Sequence, residues 1–78
     1  MRHESSRLIY AVLREATGPL TTREVARAVM EARGMNTADH AMAETMRERM
    51  AATLRKLKSR GKLVAEKEAG KNQRWALA

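Results

Sequence analysis

Seven basic side chains fall within sixteen residues: Arg47, Arg49, Arg55, Lys56, Lys58, Arg60 and Lys62. Glu48 is the only acid among them, and the segment carries +6 of the chain's net +7. The first 46 residues hold six bases and six acids and cancel, and the last sixteen add only +1. Guanidinium and ammonium groups at this density neutralise phosphates, and arginine adds a planar fork that reads a guanine edge. The local block and a sequence pI near 10.9 together point to a polyanion as partner rather than a small acid. Other chemistry lacks its parts. There is no paired-carboxylate pattern, no nucleophile with a matched base and no glycine-rich phosphate loop, so the chain does not read as an enzyme. There are no cysteines, and His3 and His40 are too few and too far apart for a zinc site, so no cofactor or metal is expected. Tyr10 and Trp75 are the only aromatics, too few for base-stacking recognition of single strands.

The elements that must hold these side chains can be read from apolar spacing and turn residues. A chain of 78 residues makes one domain with a small core. No apolar run approaches the ~18 residues of a membrane span, and a cytoplasmic protein without membrane contact is expected. Gly18, Gly34, Gly61 and Gly70 separate four patterned pieces. Leu8, Ile9, Val12, Leu13 and Ala16 predict a helix over about 6–17, following the possible caps Ser5 and Ser6 and stopped by Thr17-Gly18-Pro19. Thr21 and Glu24 have the spacing of a capping box and Leu20 and Val25 that of a hydrophobic staple. They open a second helix over about 22–33 whose inward stripe is Val25, Ala28, Val29 and Ala32. Met42, Met46, Met50, Leu54 and Leu57 share one side of a third helix over about 39–60, with Asn36, Thr37 and Asp39 all plausible caps. From 62 to 77 the period changes to two. Leu63 and Ala65, then Trp75 and Leu77, predict a β-hairpin turning at Glu68 to Asn72, with Trp75 as its anchor in the core.

Helix, extended link, helix, helix, hairpin is the order of the winged helix-turn-helix family, and short stretches match in wording. Gly18-Pro19-Leu20-Thr21-Thr22-Arg23-Glu24-Val25-Ala26 resembles the family's entry into its second helix. Leu54-Arg55-Lys56-Leu57-Lys58-Ser59-Arg60-Gly61-Lys62-Leu63-Val64 resembles its exit from the third helix into the wing. Arg74-Trp75-Ala76-Leu77 is similar to the returning wing strand. The resemblance runs from about Leu8 to Leu77 and implies an α+β, mainly α, three-helix fold with a C-terminal hairpin wing. In one respect the chain departs from compact members. The Asn36 to Glu44 stretch is longer, and reads either as an added helical turn or as a separate short helix.

The same resemblance implies that the third helix lies in the major groove of double-stranded DNA. With the apolar stripe turned inward, the opposite face collects Ala41, Thr45, Glu48, Ala52, Arg55 and Ser59. Arg47, Arg49, Lys56, Lys58, Arg60 and Lys62 flank it. Small residues between basic margins suit close approach to base edges with phosphates held at the sides; a solvated amphipathic helix shows the same pattern. Arg55 is the candidate for a bidentate guanine contact and Glu48 for accepting from cytosine. Thr22 and Arg23 stand at the start of the second helix, where backbone N–H groups favour a phosphate, although Thr21 beside them is equally a cap. Lys67, Lys71 and Arg74 surround the wing, where Glu66 and Glu68 offset them. The expected function is that of a small bacterial or phage-type transcriptional regulator, acting as a homodimer or with a protein partner through the first helix or the Met1 to Ser6 arm. The rival expectations are a winged-helix protein-interaction module without DNA binding and, below it, shape recognition of structured RNA.

Overall fold

The computed structural model describes residues 2–67 and 73–78, with side chains for 6–66 and 73–78. The described residues form a small, mainly helical α+β fold. In chain order its elements are α1 (Arg2–Glu15), β1 (Leu20–Thr21), α2 (Thr22–Ala32), α3 (His40–Ser59), β2 (Leu63–Lys67) and β3 (Gln73–Leu77). The three strands make one antiparallel sheet in the order β1-β3-β2.

Local chemistry sets most of the element ends. At the start of α2, Glu24 N donates to Thr21 Oγ1 at 3.1 Å and Thr21 N donates to Glu24 Oε1 at 2.8 Å, a complete capping box. Both α2 and α3 close the same way. Gly34 and Gly61 take φ of +72° and +77°, the left-handed region that glycine enters without a Cβ penalty. Met35 N then reaches back to Met30 O, and Lys62 N to Leu57 O, each at 2.9 Å, inside which Gly34 N and Gly61 N bond Glu31 O and Lys58 O. Between α2 and α3, Asn36 folds a tight turn by accepting from Ala38 N, and Asp39 caps α3 by accepting from Met42 N. The longer stretch before the third helix is therefore a turn followed by added helix from His40, with no separate short helix.

The core is a single cluster in which Ile9 and Leu13 of α1, Val25, Ala26, Val29 and Met30 of α2, and Met46, Met50, Leu54 and Leu57 of α3 meet Leu63 and Trp75 of the sheet. Trp75 is 2% exposed, and its indole N–H donates to Thr22 Oγ1 at 3.0 Å, tying β3 to the first residue of α2.

Several expectations need correction. Helix α1 begins at Arg2, so Ser5 and Ser6 lie within it rather than capping it, and it ends at Glu15 rather than 17. The link before α2 is a true strand, β1, pairing Leu20 with Trp75 and Thr21 with Arg74. Met42 is 39% exposed and does not join the core. Steps of four residues drift by roughly 40° each around a helix, which carries Met42 off the side centred on Met50 and Leu54. On α2 the buried side is rotated as well. Ala26 and Met30 are buried, whereas Ala28 is half-buried and Ala32 exposed, because α3 covers the Ala26–Met30 side.

Candidate nucleic-acid interface

The inward seam of α3 fixes what the helix presents outward. With Met46, Met50, Leu54 and Leu57 buried, Ala41, Thr45, Glu48, Ala52, Arg55 and Ser59 are all exposed on the opposite side. Arg49 and Lys56 follow one margin of that face, and Lys58 lies on the other. Arg60, Gly61 and Lys62 carry the charge past the helix end toward β2 and are also exposed. Among the described residues, Arg49, Arg55, Lys56, Lys58, Arg60 and Lys62 form no ion pair, so their charge is available to a partner. The surface is a strip of mostly short side chains, with Glu48 and Arg55 among them, bordered by cations that form no ion pair among the described residues. Its hydroxyls are partly spent on the helix itself: Thr45 Oγ1 donates to Ala41 O at 3.1 Å and Ser59 Oγ to Lys56 O at 3.0 Å.

Arg47 is placed differently from its expected position on the open margin. It is half-buried, and its Nη2 donates to Glu44 Oε1 at 2.7 Å. That hydrogen bond, with the charge of Arg47 and more weakly of Arg23, lowers the Glu44 carboxyl below its ordinary pKa, and the same pairing raises Arg47. Together with Arg23 and Arg27, Arg47 lines a cleft between α2 and the start of α3 rather than the outer face of α3.

The remaining candidates divide. Arg23 is exposed one residue into α2, beside the capped helix start. Thr22 and Arg74 are already engaged within the fold. The Thr22 hydroxyl accepts from Trp75, while Arg74 Nη1 donates to Pro19 O at 3.3 Å and lies 3.9 Å from Glu24 Oε1. These bonds hold the sheet against the start of α2. Lys71 and the Lys67 side chain lie outside the described residues, while the Lys67 backbone pairs with Gln73.

Two groups of cations escape a reading of the sequence. Arg27 stands one helical turn after Arg23 at the edge of the buried side of α2, an i,i+4 arginine pair that could have been noticed. Arg7 shares a shallow recess with Tyr10, Arg60 and Lys62, joining the start of α1 to the end of α3. No local signal announces that meeting across more than fifty residues. Among the described residues there is no helix long and apolar enough to cross a membrane. No family model matches the chain, and neither a curated protein nor a solved structure matches it.

Proposed function

We propose that this chain is a winged helix-turn-helix domain that binds double-stranded DNA with α3 in the major groove, as a small transcriptional regulator of bacterial or phage type. The order of three helices and an antiparallel sheet closed by a C-terminal strand pair is compatible with that architecture. One observation carries the functional reading. Six exposed cations, from Arg49 to Lys62, stand on or around a strip of mostly small residues on the side of α3 opposite its buried seam, and form no ion pair among the described residues. A helix of this kind fits a groove about 12 Å wide, with backbone close to base edges and cations over the phosphates on each side. Arg55, on the outward face itself, is the residue placed to fork onto a guanine. Arg60 and Lys62, with Arg7 beside them, extend the phosphate-binding surface to the first half of α1.

A selection of bound duplexes from a randomised pool tests the reading. A recovered motif containing a guanine whose preference disappears in Arg55→Ala supports it. Recovery of unenriched sequence removes the claim of base readout, and recovery of no duplex removes the proposal. A protein-interaction module is the second reading, and the half-buried Leu8, Val12, Leu20 and Ala28 between α1 and α2 favour it. Under that reading an acidic protein partner remains bound after nuclease treatment while duplexes do not bind.

A further inference from the structure

The cleft between α2 and the first turns of α3 stands apart from the outer face of α3. It has a volume of about 420 Å³, within the range of small-molecule sites. Its walls come from two helices and the turn that joins them. Ala26 and the fully buried Met30 of α2 and the half-buried Ala43 of α3 supply an apolar floor. Arg23, Arg27 and Arg47 supply three guanidinium groups around it. The acids do not balance them: Glu44 serves Arg47 at 2.7 Å, and Glu31 lies 3.7 Å from Arg27. Arg47 Nε is closed off from water yet has no hydrogen-bond partner, a costly state for an N–H of a charged group.

We propose that this cleft binds a small organic carboxylate with a compact apolar body. Its carboxylate takes the guanidinium groups of Arg47 and Arg23, and its body rests on Met30, Ala26 and Ala43. The Glu44 carboxylate already shows the chemistry, because it occupies one edge of the Arg47 fork. An incoming carboxylate competes with Glu44 for that fork and, as the Arg47 side chain turns, gives Nε the acceptor it lacks. The apolar floor separates this ligand class from inorganic phosphate, which has no apolar body to set against it. The site differs from the DNA-facing surface in residues and in the ligand it selects, and does not depend on that surface binding DNA.

The test is a titration of the full chain, labelled at methionine and alanine methyls, followed by NMR at constant ionic strength. The probes are benzoate, its neutral analogue benzamide, and inorganic phosphate. Benzoate is expected to shift the Met30, Ala26 and Ala43 methyls saturably, with a dissociation constant of roughly 1 mM, and benzamide to bind at least about tenfold more weakly. Arg47→Gln and Arg23→Gln should each weaken benzoate about tenfold with the unliganded methyl spectrum preserved, and Glu44→Gln should tighten it several-fold by removing the competitor. Unsaturable benzoate shifts, equal binding of benzamide, or weaker binding in Glu44→Gln would overturn the proposal. Phosphate binding as tightly as benzoate would also overturn it, and would make the cleft a seat for the DNA backbone.

Discussion

Arg55 and Arg47 stand only eight residues apart on one helix, yet their surroundings are opposite. Arg55 is exposed on the outward face and makes no ion pair among the described residues, so its fork is open to a base. Arg55→Ala should cost about 1–3 kcal/mol on a preferred site and little on other duplexes, whereas Lys58→Ala should weaken all duplexes alike; competitive binding of the two duplex classes measures the difference. Arg47 is held by Glu44, and the consequence is a titration. Glu44 is lowered from its ordinary value of 4.5, so whatever the pair adds to folding is fully present above that value and fades as pH falls through the depressed one. Arg47→Ala should return Glu44 to about its ordinary value, which carboxyl chemical shifts followed against pH will show. Both arginines belong to one basic run in the sequence. What separates them is whether α2 lies alongside, and the run itself does not contain that information.

At the scale of elements, the features legible in the sequence are those decided within about six residues. Thr21 and Glu24 announce the start of α2, and both bonds of the capping box are present. Gly34 and Gly61 announce the ends of α2 and α3, and both take the left-handed conformation. No neighbour would crowd a Cβ at Gly61, but its φ is +77°, so Gly61→Ala should lower stability by about 1 kcal/mol through backbone strain alone. Chemical denaturation would register this as a lower midpoint with an unchanged slope. Elements that depend on distant partners were less legible. Two-residue β1 exists because β3, more than fifty residues later, supplies its hydrogen bonds, so Leu20 and Thr21 alone read as a link. Met42 continues the four-residue spacing of Met46 and Met50, yet lies where the rotation of the helix has left the core behind.

For the molecule as a whole, the separation of charge from core organises the account. The apolar seam of α3 meets α2 and the sheet on one side, while the basic strip lies on the other and runs on through Arg60 and Lys62. Charge density, readable by counting, motivates the proposed class of partner; the fold adds which cations form no ion pair among the described residues. Arg47 leaves that set for the α2–α3 cleft, Thr22 and Arg74 are used to brace the sheet, and Arg7 joins the set from the far end of the sequence. The most direct test is the affinity of the full chain for duplex DNA at about 50 and about 200 mM salt. If about five of the exposed cations each hold a phosphate, the logarithm of the binding constant should fall against that of salt with a slope of about −4.5, a loss of several hundred-fold across that interval. A slope near zero, or no binding at the lower salt, would contradict the account.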